Sequence, residues 1–189
     1  MFESNNSAVQ TVRYTEIHNS LPHAFSQMLA PRNKLWPSNP KIVELALDLL
    51  GLKAKDHLAD WGCGDGPALF GAAERGATAS GWEIHEERAT KLREEVASRG
   101  LEGMIHVHTG NALEASLPTD PPITHVYLFL IARGLRLMLP LLKKAAALLP
   151  NQTLPVVTVL YSMEGMTPVE TRKCPETKTP YHLYLIKAE

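Results

Sequence analysis

Apolar residues follow two different spacings along the chain, one typical of helices and one typical of strands. Between Pro40 and Leu50 they recur every three or four positions and stop before Gly51, which predicts a helix with one apolar side. The short apolar run His57–Trp61 predicts a strand. Further helices are expected over Pro67–Arg75, Glu86–Arg99 and Leu135–Leu149, and further strands over Ala77–Glu83, Met104–His108, Ile123–Leu130, Pro155–Tyr161 and Tyr181–Lys187.

This alternation of strands and helices predicts an α/β fold with a mostly parallel sheet that is covered on both faces. The pattern changes near the C-terminus, where no helix separates Pro155–Tyr161 from Tyr181–Lys187. Such an ending is typical of a hairpin that adds an antiparallel strand. Residues 1–34 show no clear period, so we expect an N-terminal arm or cap followed by one domain over residues 35–189.

Composition narrows the class of protein. Apolar residues make up 44% of the 189 residues, and 19 basic side chains nearly balance 20 acidic ones. The resulting net charge of −1 predicts no stable binding to nucleic acid through bulk charge. No apolar run is long enough to cross a membrane. Two cysteines form neither a disulfide framework nor a zinc site, which favours a cytoplasmic location, with an organellar matrix left open.

Three glycines in five residues, Gly62, Gly64 and Gly66, follow the first predicted strand and precede a helix. Ligands of parallel sheets bind where strands end, and we expect the bare glycine backbone to let a ligand approach closely. Glu83 ends the second predicted strand, 23 residues after Asp60, where a carboxylate suits the two hydroxyls of a ribose. Loop and carboxylate together predict a pocket for a nucleoside-bearing cofactor.

The spacing and charge of this loop discriminate between cofactors. The order Gly-x-Gly-x-Gly differs from the dinucleotide pattern Gly-x-Gly-x-x-Gly, and the lysine of a P-loop is absent. Asp60 and Asp65 would repel a pyrophosphate but suit a ligand that carries an ammonium group. S-adenosylmethionine has an ammonium, a sulfonium and a ribose, and it has no phosphate. The loop therefore favours S-adenosylmethionine over NAD, and a dehydrogenase is disfavoured.

At this point the sequence resembles a known family. Ala59–Gly66 and the stretch SGWEIHEER resemble the first two motifs of the seven-strand (class I) S-adenosylmethionine-dependent methyltransferases. The stretches LWPSNPKIVELALDLL and TGNALE resemble a group of small protein-lysine methyltransferases, which includes broad-specificity archaeal enzymes and those that modify the ATP synthase c-subunit or the adenine nucleotide translocase. The resemblance implies a Rossmann-like three-layer sandwich with a mostly parallel seven-stranded sheet and an antiparallel C-terminal hairpin strand. It also implies methyl transfer to lysine side chains of a protein.

The resemblance also implies which residues bind the cofactor. The glycine loop would contact the methionine end, Glu83 the ribose and Ile84 the adenine, while Asp60 would position the loop. Cys63 is most simply a small residue that fills space within the loop, and Asn111 takes the place of a more common acidic residue. The implied cofactor-binding residues are Trp36, Pro37, Ser38, Asp60, Gly62, Cys63, Gly64, Asp65, Gly66, Glu83, Ile84, Asn111 and Ala112.

Aromatic residues at two strand ends are candidates for the side of the site that binds the methyl acceptor. Tyr127 and Phe129 end the fourth predicted strand and Tyr161 ends the fifth, where aromatic faces could guide an amine or simply pack. We take these three as candidate catalytic residues. Two features depart from the lysine-modifying pattern: Met166 replaces an expected tryptophan, and Val159–Met163 lacks polar residues apart from its tyrosine and serine. Methylation of a small molecule or RNA, and S-adenosylmethionine binding without catalysis, stay open as alternatives.

Two further expectations concern metals and partners. His106 and His108 alternate on one predicted strand, a spacing that can ligate a metal, but no third ligand accompanies them, so no metal site is expected. The partner implied is a protein that presents a lysine, and we expect a monomer or a weak oligomer.

Overall fold

A computed structural model describes residues 38–188 of the chain. The arm expected over residues 1–34, together with Trp36 and Pro37, lies outside the described residues. The helices are α1 (Pro40–Leu50), α2 (Pro67–Glu74), α3 (Glu86–Ser98) and α4 (Ala132–Ala147), with a short 3₁₀ turn over Ala112–Glu114. The strands are β1 (His57–Trp61), β2 (Thr78–Glu83), β3 (Ile105–Thr109), β4 (His125–Leu128), β5 (Thr153–Val159), β6 (Glu170–Lys173) and β7 (Pro180–Lys187).

One sheet contains all seven strands in the order β3-β2-β1-β4-β5-β7-β6. The first five strands of the chain are mutually parallel, and β7 runs antiparallel between β5 and β6. This arrangement confirms the expected Rossmann-like α/β fold with an antiparallel C-terminal hairpin. The hydrophobic pattern alone did not reveal β6, because all four of its residues are exposed and polar. The strand expected over Ile123–Leu130 is shorter, and α4 begins three residues earlier than expected.

Two apolar layers enclose the sheet. On one face, α1, α2 and α3 pack through side chains such as Leu47, Leu69 and Leu92. On the other face, α4 packs through residues that include Leu135 and Met138. All five residues of β1 are buried, since this strand lies in the middle of the sheet. None of the helices within residues 38–188 is long and apolar enough to cross a membrane.

The start of α1 is held next to the end of β4. Asn39 caps the helix, because its Oδ1 accepts a hydrogen bond from the backbone N–H of Lys41 at 2.8 Å. Pro40 occupies the first turn, where its missing N–H costs nothing. Gly51 ends the helix with φ at +74°, as the sequence predicted. Ser38, just before the cap, accepts a hydrogen bond from the hydroxyl of Tyr127 on β4 at 3.1 Å.

Candidate active site

The glycine loop joins β1 to α2 and is fastened to the end of β2. The backbone N–H groups of Gly62 and Cys63 both donate to the carbonyl of Trp82, at 2.8 and 3.0 Å. Gly62, Gly64 and Gly66 all have positive φ, at 98°, 55° and 75°. The N–H of Gly66 closes the turn on the carbonyl of Cys63 at 2.8 Å. The loop is therefore a tight, defined structure at the carboxyl edge of the sheet.

Packing within the protein gives a further reason for glycine at two of these positions. A Cβ on Gly66 would lie 2.7 Å from Leu92 on α3, and a Cβ on Gly62 would lie 3.1 Å from Leu130. Both positions also have the left-handed backbone conformation that other residues rarely adopt. The loop's own conformation and packing thus already require glycine here, and the close approach of a ligand to this backbone stays a prediction.

Glu83 is a buried carboxylate, 4% exposed, at the end of β2. Its Oε2 accepts from the N–H of Gly64 at 3.1 Å, and its Oε1 accepts from the N–H of His85 at 2.9 Å. Arg88 on α3 approaches the same Oε1 at 3.4 Å. These contacts fix the carboxylate between the glycine loop and the start of α3. A carboxylate has about four acceptor positions, so these three contacts leave one position for a ribose hydroxyl.

Asp60 is a second buried carboxyl group, 3% exposed, on β1. Its register partners are Gly81 on β2 and Tyr127 on β4. Burial, together with the negative charge of Glu83, raises the pKa of Asp60 to about 8. The carboxyl group therefore keeps its proton at neutral pH in the free protein. A cation bound nearby would favour the ionised form, which suits a positively charged ligand.

Cys63 lies inside the loop and is 4% exposed. Burial, assisted by the charges of Asp60 and Glu83, raises the pKa of its thiol well above the usual value. Its Sγ fills the space left by the missing side chain of Gly81, where an added Cβ would lie only 2.7 Å away. Because a neutral buried thiol is a poor nucleophile, the residue acts as the small packing group that the sequence indicated.

The segments after β2 and β3, which the sequence predicts on the adenine side of the site, lie next to each other. The N–H of Gly110 donates to the carbonyl of Glu83 at 2.9 Å, which brings these two segments together. Ile84 is 64% exposed despite being apolar, whereas Ala112 is buried. The Oδ1 of Asn111 accepts from the N–H of Leu113 at 3.1 Å and so caps the 3₁₀ turn. An exposed apolar side chain beside an oriented amide is a suitable wall for a purine.

The three candidate aromatic residues are not brought together in one channel. Tyr127 is fully buried, at 1% exposure, and packs with Phe129 in the apolar layer beneath α1. Burial raises the pKa of Tyr127 well above its usual value. Tyr161 is half-buried and packs against the layer beneath α4. Tyr127 therefore anchors the start of α1 through Ser38, and the proposed acceptor roles of all three remain predictions.

Sequence reasoning did not find the partners of Glu83. His85 donates a hydrogen bond to Glu83 from its backbone N–H, which nearly every residue type has, so the sequence does not mark this position. Arg88 lies five residues after Glu83 in a segment rich in both charges, so nothing in the sequence distinguishes it. Asp65, by contrast, is exposed on the glycine loop. His108 stacks on Trp82 with ring centroids 4.7 Å apart, and residues 38–188 contain no cluster of three metal-ligating side chains.

Comparison with known proteins gives one sequence relative and several similar structures. No family model matches the chain. A protein-lysine N-methyltransferase from Saccharolobus islandicus is 26% identical over 151 residues, which cover 79% of this chain and 89% of that protein. The sequence likeness thus extends over most of both chains.

Two solved structures illustrate the likeness of fold. An RNA methyltransferase from Salinibacter ruber, in complex with S-adenosyl-L-homocysteine, has a TM-score of 0.71 and 25% identity, covering 81% of this chain and 95% of its own. A geranyl diphosphate methyltransferase in complex with S-adenosylmethionine has a TM-score of 0.52 and 18% identity, covering 65% and 50%. The strand order and these likenesses show that the chain has the fold of the seven-strand, class I S-adenosylmethionine-dependent methyltransferases and resembles them in sequence, with S-adenosylmethionine as the cofactor.

Proposed function

We propose that this methyltransferase transfers methyl groups from S-adenosylmethionine to lysine side chains of a protein. The observation that carries the lysine assignment is the likeness to a protein-lysine N-methyltransferase, which extends over 79% of this chain. The chain's own charge supports it, because a net charge of −1 offers little attraction to a polyanionic acceptor. The cofactor supplies a methyl group bonded to a positively charged sulfur.

The residues at the carboxyl edge of the sheet fit this cofactor. Glu83 would accept from the ribose hydroxyls while keeping its bonds to Gly64 and His85. Burial keeps the carboxyl group of Asp60 protonated in the free protein, and the positive charge of the bound cofactor would favour its ionised form. The exposed face of Ile84 would pack on the adenine.

A lysine acceptor imposes two requirements on the protein. The amine must lose its proton before it can attack, and a partly dry environment near a cation lowers its pKa. The amine must also be aligned with the methyl group, which is worth several kcal/mol of barrier lowering. Phe129 and Tyr161 are half-buried and follow β4 and β5 at the carboxyl edge of the sheet, so the aromatic face of either one is a candidate to orient the amine.

RNA methylation is the second candidate function. It is favoured by the structural likeness to the Salinibacter ruber RNA methyltransferase, at a TM-score of 0.71. The two candidates share the cofactor site and differ in the acceptor, so a test must identify the labelled product.

The test is incubation of the full chain with cofactor carrying a radioactive methyl group and a cell lysate, followed by protease or nuclease treatment. We expect label that protease releases and nuclease does not, and mass spectrometry of the labelled protein should locate methyl groups on lysine. A Glu83→Ala variant, which removes the ribose acceptor, is the control for background transfer. Label that only nuclease releases would refute the lysine assignment in favour of RNA.

A further inference from the structure

The basic and acidic residues are unevenly distributed along the chain. From Pro121 to Met163 there is no aspartate or glutamate, whereas there are four lysines and arginines. The whole chain has a net charge of −1, so this segment contributes +4 and the remainder contributes −5. All four basic residues, Arg133, Arg136, Lys143 and Lys144, belong to α4.

Helical geometry places these four side chains on one side of α4. At 100° per residue they fall within an arc of about 100°, on the side opposite to the buried residues. Arg136 is 60% exposed at its side chain, and Lys144 is exposed. Leu148, just after the helix, is 41% exposed and lies about 40° beyond Lys144, at the border between the basic and the buried sides. The buried residues of the helix are Gly134, Leu135, Met138, Leu141, Leu142, Ala145 and Ala146. We call the outer side, defined by the four basic residues, the basic face of α4.

The basic face starts beside the region where the acceptor must enter. α4 begins four residues after β4 ends, at the carboxyl edge of the sheet where the cofactor site lies. Nη1 of Arg136 lies 3.6 Å from Oε2 of Glu164, in the loop that follows β5 and Tyr161. From Arg133 to Lys144 the face extends about 16 Å away from that edge. A chain whose side chain reached the site could therefore lie along α4 with about five further residues.

We propose that the basic face of α4 docks an acidic, partly apolar segment of the substrate protein, next to the lysine that is methylated. This inference rests on the proposed function for the identity of the partner. Charge complementarity carries it: the basic face, whose Arg136 also approaches Glu164, attracts an acidic segment, and the exposed Leu148 at its border provides an apolar contact. A protein segment fits better than RNA or an anionic membrane, because the net −5 of the remaining chain repels an extended polyanion.

The experiment uses two synthetic peptides of equal length, each with one lysine followed by an alternating segment. In the acidic peptide the segment alternates acidic residues with leucine, and in the glutamine peptide it alternates glutamine with leucine. Binding to the full chain with S-adenosylhomocysteine is measured by fluorescence anisotropy at low and high salt. We expect the acidic peptide to bind about tenfold more tightly at low salt, and this preference to disappear at high salt. The doubly substituted variant Lys143→Glu/Lys144→Glu should lose the preference, while its affinity for the glutamine peptide stays unchanged.

A matched control reverses two exposed charges elsewhere, Lys91→Glu on α3 and Lys187→Glu on β7, which gives the same net charge. This control should keep the preference for the acidic peptide. Equal binding of both peptides, or equal loss in both double variants, would overturn the proposal. So would tighter binding of a uridine oligonucleotide or of phosphatidylglycerol vesicles that Lys143→Glu/Lys144→Glu abolishes. The binding experiment involves no methyl transfer, so its result does not depend on the lysine assignment. A failure of that assignment would show in a separate incubation with S-adenosylmethionine, as a peptide that binds and is not methylated.

Discussion

Glu83 at the end of β2 accepts a hydrogen bond from the backbone N–H of Gly64, across 3.1 Å and between two different strand ends. The contact ties the carboxylate that is predicted to hold the ribose to the glycine loop. A change at this side chain should therefore affect the shape of the loop as well as the ribose contact.

Replacing Glu83 with alanine should weaken binding of S-adenosylmethionine by about 1–3 kcal/mol. The variant leaves both the ribose hydroxyls and the N–H of Gly64 without their acceptor. Isothermal titration calorimetry gives the affinity, and circular dichroism verifies that the variant is folded. Glu87→Ala, an exposed carboxylate in the first turn of α3, is the control and should bind normally. Unchanged affinity in the Glu83 variant would show that another residue holds the ribose.

Replacing Gly66 with alanine should lower the free energy of unfolding by about 2–4 kcal/mol, since it combines backbone strain with a clash. The new Cβ would lie 2.7 Å from Leu92, at a φ of +75°. Gly100→Ala is a matched control, because Gly100 has a φ of +65° with no atom within 4 Å of the added Cβ. Urea denaturation should give a loss of about 1 kcal/mol for the control. Equal losses in the two variants would mean that contact with Leu92 contributes nothing.

The glycine loop also shows where reading the sequence succeeds and where it stops. The sequence predicted that the glycine cluster after one strand and the carboxylate at the end of the next strand form one site, and the structure brings Gly64 and Glu83 into contact. The packing that requires glycine at positions 62 and 66 could not be predicted from the sequence. The side chains that an added Cβ would meet belong to Leu130 and Leu92, which are distant along the chain. The local sequence pattern predicts helices, strands and turns. It does not predict which side chains of distant elements come into contact, because those contacts form only in the folded chain.

The same limit explains the other differences. β6 has four exposed polar residues, so no apolar alternation marks it, and it forms because β7 offers a free edge. Tyr127 was expected at the rim of an acceptor channel from its place at a strand end. Its burial follows from α1 packing over β4 and from the bond to Ser38, neither of which the sequence pattern contains.

Replacing Asp60 with asparagine should stabilise the free protein, and the gain should grow as the pH rises. Because the pKa of Asp60 is raised to about 8 from 3.8, the folded state holds a proton that the unfolded state releases. The stabilising contribution of this carboxyl group to the free energy of unfolding is fully present below pH 3.8. It is lost as the pH rises to about 8, at about 1.4 kcal/mol per pH unit. The asparagine variant lacks this loss, so its gain over the wild type should grow by about 4 kcal/mol between pH 5 and pH 8, three pH units at about 1.4 kcal/mol each.

Urea denaturation of both proteins at pH 5, 6.5 and 8 tests this expectation. Asp65→Asn removes a carboxylate from the same loop at an exposed position, and it should leave the pH dependence of the wild type intact. A difference between the Asp60 variant and the wild type that stays constant across the three pH values would show that Asp60 is ionised throughout.

Replacing Tyr127 with phenylalanine distinguishes an anchoring role from a catalytic one. The change removes the hydroxyl that donates to Ser38 at 3.1 Å and keeps the buried ring. If the hydroxyl anchors α1, the free energy of unfolding should fall by about 1 kcal/mol while kcat for methyl transfer stays within a few-fold of the wild type. Ser38→Ala should give a similar loss, and the double variant should lose less than the sum, because both changes break one bond. A fall in kcat of about a hundredfold with unchanged stability would instead place the hydroxyl at the reacting atoms, as the strand-end position first suggested.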